Sequence, residues 1–207
     1  MDQITLYAYH FRSRAERVLW TLQELGFAFE LKRLNPMQGD TRQPDFLAMN
    51  PQAKIPVLTH GDLVFTESLA IMDYLNSIHP EQPLLPTDPV ALYRCRQLMS
   101  FGMSEIEPYL WIAEQNTRLA MFYHWPEGTA AEATKRAAAA LPTVFGWLTD
   151  RTYISGESFS LADIYAYQLI TWGMTQGIAI PESVGAYLQR LCSRPAFPEK
   201  MGRYPAA

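Results

Sequence analysis

Ile55-Pro56-Val57-Leu58 constrains the fold of this chain more than any other run in it. Val57 and Leu58 read as the start of a strand, and the proline ahead of them has no N–H to give to a ladder. Within sheets proline belongs at a strand's first residue or on an edge. The stretch before it is therefore a loop, opened by Asn50-Pro51. The Ile55–Pro56 bond is also a candidate for the cis form, because X-Pro bonds keep little of the usual trans preference. A cis bond would turn the N–H and C=O of Ile55 away from the sheet, where an extended peptide can pair with them. A short distance on, Phe65-Thr66-Glu67-Ser68 places an acid and a hydroxyl at the start of a helix. Helix N-termini favour carboxylates through their exposed N–H groups. The two features together suggest a site for a small peptide with an acidic end.

Periodicity around these motifs gives the first domain. Residues 3–9 are rich in β-formers and lead into a helix over 14–25, where Ala15, Val18, Leu22 and Leu25 recur at helical spacing and Gly26 stops it. A strand is expected at 27–33, a short helix at 44–49, and a hairpin of 57–59 with 63–65 around His60-Gly61-Asp62. Ser68, Ile71, Met72, Leu75 and Ile78 then mark one face of a third helix. The order βαβαββα is that of a small α/β sandwich of the thioredoxin-like kind. From His79 the composition changes: Pro80, Pro83, Pro86 and Pro89 are too closely spaced for a helix or a central strand. The spacing predicts a first domain at 1–79, a linker at 80–88 and an all-helical domain at 89–207. Helices are expected there at about 89–122, 129–150, 160–175, 182–193 and 195–200, with no strand.

Composition narrows the partners. The 207 residues carry a net charge of −4, with a pI near 5.6, so there is no basic surface of the kind nucleic acid demands. No apolar run reaches the roughly 18 residues of a membrane span, and the first residues lack the regions of a signal peptide. Cys95 and Cys192 lie far apart in helical patterns, which suggests neither a disulfide framework nor a metal site. A cytoplasmic chain without nucleic-acid or membrane partners is the expectation.

Asn50-Pro51-Gln52-Ala53-Lys54-Ile55-Pro56-Val57-Leu58 and Glu67-Ser68 resemble the glutathione-binding half of the cytosolic glutathione transferases. The likeness continues through Ser160-Leu161-Ala162-Asp163, similar to the capping motif of the family's helical domain, and Arg194-Pro195-Ala196-Phe197, similar to its last-helix start. Both are assigned to folding; the first works as a capping box with Asp in place of Glu. The resemblance implies the glutathione transferase fold, with glutathione as co-substrate and no metal. It also implies a homodimer in which the first domain of one subunit meets the helical domain of the other. By the same resemblance Ile55, ahead of Pro56, pairs its backbone with the cysteinyl part of the tripeptide. Glu67 and Ser68 hold the γ-glutamyl end, Gln52 adds a contact, and Lys54 serves the glycyl carboxylate.

For such a tripeptide the chemical task is to ionise its thiol. A free thiol of pKa about 8.5 is only a few per cent thiolate at neutral pH. Lowering that value by about two units takes roughly 2.7 kcal/mol of preference for the anion. One hydrogen bond to a charged acceptor supplies about 1.5–3 kcal/mol, and a helix N-terminus about 0.3–1. One hydroxyl at the start of the first helix therefore suffices. Ser13, Tyr7 and Tyr9 compete for the role. Ser13, four residues before Arg17 in Ser13-Arg14-Ala15-Glu16-Arg17-Val18, resembles the active serine of the serine-type classes (theta, delta and many bacterial members). Tyr7 and Tyr9 lie where the tyrosine-type classes carry their hydroxyl. Ser13 with Glu16 also reads as a plain capping box. Arg12 and Arg14 flank the serine and suit a thiolate or a substrate carboxylate. No cysteine stands in this turn, so the thiol–disulfide exchange of the omega- and beta-type relatives lacks its nucleophile here.

An electrophile is expected where the first helical turn faces the long helix after the linker, with Tyr9, Phe11, Met99, Met103, Tyr109, Trp111 and Ile112 as apolar walls. The leading expectation is a glutathione transferase acting in detoxification. Its rivals are a glutathione-dependent isomerase, dehalogenase or peroxidase, and a non-enzymatic transferase-like binding protein.

Overall fold

Alternation along β1 (Ile4–Ala8) buries Ile4, Leu6 and Ala8 on one face and leaves Tyr7 half-buried on the other, the period of two that a pleated strand imposes. The computed structural model describes residues 2–9 and 13–198. Its contacts divide the chain into two compact units, one running to Leu84 and joined by the segment from Cys192, the other spanning Leu85–Leu191.

In the first unit α1 (Ala15–Glu24) buries Ala15, Val18, Trp20 and Leu22 and ends at Gly26, whose φ of +69° is costly for a residue with a side chain. β2 (Glu30–Arg33) follows, shorter than expected. Two 3-10 turns over Pro36–Gln38 and Asp40–Arg42, which periodicity did not reveal, lead into α2 (Pro44–Met49). β3 (Val57–His60) and β4 (Leu63–Thr66) form the hairpin, and α3 (Ser68–Ser77) closes the unit. The sheet order is β2-β1-β3-β4, with β1 parallel to β2 and antiparallel to β3. α1 packs against α3, and Val18, Trp20, Leu22, Ile71, Met72 and Leu75 are fully buried. This is the βαβαββα order of a thioredoxin-like domain.

The segment after Cys192 belongs to this same unit. Arg194 gives two N–H bonds to the Glu24 carboxylate, at 2.7 and 2.8 Å. Glu24 Oε1 also accepts from the Trp20 indole N–H at 2.9 Å, and Phe197 meets Trp20 edge-on at 4.9 Å. The short helix expected at 195–200 is not formed over its described part, 195–198. A single turn stands there, closed by the Phe197 N–H on the Arg194 carbonyl at 3.0 Å. One turn offers too few bonds to propagate a helix, and side-chain contacts with α1 hold the segment instead.

The second unit is helical. Asp88 caps α4 (Pro89–Phe101) by accepting from the N–H groups of Val90 and Ala91, at 3.1 and 2.8 Å. The single helix expected over 89–122 is broken. A π-helical turn, Gly102–Ile106, separates α4 from α5 (Glu107–Gln115), where Pro108 withholds an N–H from the ladder. α5 stops because the side chains of Asn116 and Thr117 bond back to the Ile112 and Ala113 carbonyls, at 2.7 and 3.0 Å. α6 (Thr129–Trp147), α7 (Leu161–Thr175) and α8 (Glu182–Cys192) complete the unit. α7 is buried on every side from Leu161 to Ile170, which marks it as the central helix. A capping box of Ser160 and Asp163 starts α7. Asp163 accepts from the Ser160 and Ile154 N–H groups and from the Tyr187 hydroxyl, all within 2.8–2.9 Å. Burial nevertheless pushes its carboxyl up to about 6.

Candidate functional site

Strand register brings the singled-out motifs to one end of the sheet. Val57, the first residue of β3, stands opposite Tyr7 of β1 and Thr66 of β4. β1 runs toward this end and leaves it for Ser13 and α1. β3 starts from it, directly after Ile55-Pro56. β4 finishes there and passes into Glu67-Ser68 at the head of α3. Three segments far apart in sequence thus converge because two antiparallel pairings and one crossover require it.

The loop before β3 is organised by Asn50, to which the sequence motifs gave no role beyond a turn. Its Nδ2 donates to the Lys54 carbonyl at 2.8 Å, its Oδ1 accepts from the Gln52 N–H at 3.1 Å, and its carbonyl accepts from the Ala53 N–H at 3.0 Å. Only 8% of Asn50 is exposed. Asn50-Pro51 is a turn signal in sequence, but nothing there shows the side chain folding back onto the loop. Gln52 and Lys54 are exposed, Ile55 is half-buried and Pro56 is buried. The Ile55–Pro56 bond is cis. Neither the N–H nor the C=O of Ile55 pairs with any described residue.

Glu67, the N-cap of α3, has φ +65° and ψ +105°, and its exposed side chain makes no cap bond. Ser68 is 6% exposed, and its hydroxyl has no partner among the described residues. The first N–H groups of α3 are left without a side-chain cap, which is the condition for receiving an anion.

At the head of α1, Ser13 Oγ accepts from the Ala15 N–H at 3.3 Å, while the Glu16 N–H goes to the Ser13 carbonyl at 3.0 Å. The hydroxyl therefore sits among the first N–H groups of that helix. Arg14 is the half-buried N-cap residue. Arg12 and Phe11 lie outside the described residues. Tyr7 is turned onto α2, its ring edge-on to Phe46 at 6.2 Å, with the Lys32 ammonium 5.4 Å from its centroid. Tyr9 is half-buried just past β1.

The expected electrophile walls in the helical unit are partly engaged there. Tyr109 has the Arg136 guanidinium 5.6 Å from its ring centroid. Trp111 meets Tyr123 and Trp172 edge-on at 6.1 and 6.4 Å. Met99 and Ile112 are half-buried, and Met103, in the π turn, is 44% exposed. Among the described residues no group of His, Cys, Asp or Glu is arranged to hold a metal ion, and no helix is long and apolar enough to cross a membrane. Cys95 is buried and its thiol is pushed up to about 11 by that burial, which makes it a poor nucleophile.

Comparison with known proteins bears on both halves of the chain. Residues 2–77 match the family described as the N-terminal domain of glutathione S-transferase, and residues 103–195 match its C-terminal domain. Glutathione S-transferase F10 of Arabidopsis thaliana is 30% identical over 97% of this chain and 97% of its own length. The stringent starvation protein A homolog of Pasteurella multocida is 30% identical over 87% of this chain and 82% of its own. Among solved structures, a glutathione transferase homolog from Sulfitobacter with bound glutathione superposes at a TM-score of 0.81, with 25% identity, covering 95% of this chain and 96% of that one. Both halves of the sequence and nearly its whole length carry the likeness, and the chain belongs to the glutathione S-transferase family.

Proposed function

We propose that this protein is a glutathione transferase that binds glutathione across the first domain, residues 1–79, and presents its sulfur to Ser13. The observation that carries the reading is the convergence, at one end of the sheet, of the unpaired Ile55 backbone, the uncapped start of α3 and the Ser13 turn. The tripeptide's cysteinyl backbone pairs with Ile55 as an added strand would. Its γ-glutamyl carboxylate meets the N–H groups at Ser68, its ammonium meets Glu67, and Lys54 and Gln52 take the glycyl end. Ser13 donates its hydroxyl to the sulfur, and the α1 N–H groups beside it favour the anion. The thiol proton passes to solvent. The thiolate then forms a C–S bond to an electrophilic carbon, whose leaving group departs with the bonding pair or whose strained ring opens.

Arg14, and Arg12 beside Ser13 in sequence, add positive charge in this reading. Tyr9 supplies apolar surface for the electrophile in this reading, and the linker at 80–88 leads on to the helical domain at 89–207. A homodimer, a cytoplasmic setting and a detoxifying role are part of the same proposal. Isomerase, dehalogenase and peroxidase chemistry would use the same thiolate. A non-enzymatic transferase-like binding protein is the alternative outcome of the test.

The test is the absorbance of enzyme-bound glutathione thiolate against pH, in the parent and in Ser13→Ala. A bound-thiol pKa that rises by about one to two units in the variant, with glutathione still bound, supports Ser13. An unchanged pKa transfers the role to Tyr7 or Tyr9. Failure of the parent to bind glutathione at millimolar concentration defeats the enzymatic reading. Aryl halides, epoxides, peroxides and maleylated acids then separate the reaction types.

A further inference from the structure

Within the helical unit, the start of α4, the end of α6 and the turn after it enclose an open depression of about 560 Å³, inside the usual size range of ligand pockets. Its lining includes Asp88, Arg94, Trp147, Asp150, Arg151 and Glu157. Neither arginine is ion-paired with a described residue. Arg151 spends one N–H on the Ile154 carbonyl at 3.3 Å. Burial lowers its pKa and the neighbouring Arg94 charge lowers it further, against the pull of Asp150. Arg94 disfavours the charge on Arg151 and Asp150 offsets only part of that burden, so an anion bound beside the two arginines would relieve it. The carboxylates of the same depression are spent unevenly. Asp88 is committed to the first N–H groups of α4. Glu157 accepts from the Thr152 hydroxyl at 2.8 Å and keeps its other oxygen available, and Asp150 is exposed. Gly156 has φ +141°, and a Cβ there would be in ordinary contact with Arg94 Nη1 at 4.0 Å, which places this turn beside the guanidinium. A depression lined by two arginines, carboxylates and an indole complements a molecule that carries both charges and an apolar side chain.

The geometry points to a second small-molecule site, in the helical unit, for a zwitterion of the α-amino-acid or short-peptide class. Its carboxylate is taken by Arg94 and Arg151, its ammonium by Asp150 and Glu157, and its side chain lies against Trp147. The site is independent of the groove assigned to glutathione.

Isothermal titration of the full chain with the dipeptide glycylphenylalanine, at constant ionic strength, tests it, alongside the N-acetylated and C-amidated forms. Saturable binding is expected, weakened at least tenfold by either modification and by Arg94→Gln or Arg151→Gln. Asp150→Asn should weaken the unmodified dipeptide and leave the N-acetyl form unaffected. Without ligand, Arg94→Gln should keep or raise the melting temperature, whereas a purely structural arginine would lower it. If an arginine variant fails to fold, the two modified dipeptides decide the matter on the parent protein. Equal affinity in both arginine variants, or a response reproduced by sodium chloride, overturns the proposal. So does loss of dipeptide binding in Glu67→Ala, which would place it in the first unit. Glutathione binding is read separately, so the two assignments can fail independently.

Discussion

Glu67 is held at φ +65° and ψ +105°, a setting that costs a residue with a side chain about 1–3 kcal/mol. Glycine there would relieve the strain and give back about 0.4–1 kcal/mol through the freer unfolded chain. Glu67→Gly is therefore expected to stabilise the protein by about 1 kcal/mol in urea denaturation while weakening glutathione binding at least tenfold. Loss of both together would mean that the side chain serves the fold. Asn50 makes the opposite case. Its amide bonds hold the loop ahead of Ile55, and leaving those partners unmet in a largely buried loop costs roughly 1–3 kcal/mol. Asn50→Ala should lose stability of that order by chemical denaturation. At this scale Glu67, Ser68, Ile55 and Ser13 were legible as motifs because residue type and spacing carry them. The Asn50 bonds and the Glu67 dihedrals were not, since both depend on how the chain folds back on itself.

At the scale of elements, Gly102 opens the π turn between α4 and α5 in close packing. A Cβ on Gly102 would lie 2.7 Å from both Tyr165 Cε1 and Leu169 Cδ1, and both side chains are fully buried. Neither has room to give, so Gly102→Ala is expected to cost about 1–3 kcal/mol or more, read as a lower urea midpoint. The start of α7 predicts a pH effect. Asp163 has a folded pKa of about 6 against an ordinary value of 3.8. Between those values the native state holds a proton that the unfolded chain has released. Its contribution to stability is full below about pH 4 and is lost as pH rises through 6. Denaturation of parent and Asp163→Asn across pH 4–7 should show their stability difference falling with pH by on the order of 3 kcal/mol; a flat difference contradicts it. Element types were readable from periodicity and caps. The breaks inside 89–122 were not, because Pro108 interrupts the ladder without interrupting the apolar pattern, and the bonds of Asn116 and Thr117 to the Ile112 and Ala113 carbonyls exist only in the folded helix.

At the scale of the molecule, residue 194 returns to the first helix across a separation of 170 positions. Arg194 is 26% exposed and Glu24 7%, so the pair is only partly screened and is braced by the Trp20 indole N–H. Arg194→Ala should cost about 2 kcal/mol, between the values of exposed and buried pairs. A double-mutant cycle with Glu24→Gln should return a coupling of about 1–3 kcal/mol. Additive losses would show that the bond contributes nothing of its own.

Local rules were enough to set out the thioredoxin-like order, the helical second half and the two motifs that identify the family. These follow from side-chain period, from proline's missing N–H and from hydroxyls and acids at helix starts, all properties of neighbouring residues. Tertiary structure alone decided that Tyr7, Val57 and Thr66 share one row of the sheet, that Tyr7 turns onto Phe46, and that the segment at Arg194 closes on Glu24. Strand pairing and burial bring together residues with no common local pattern. Their free energy exists only once the intervening chain has folded.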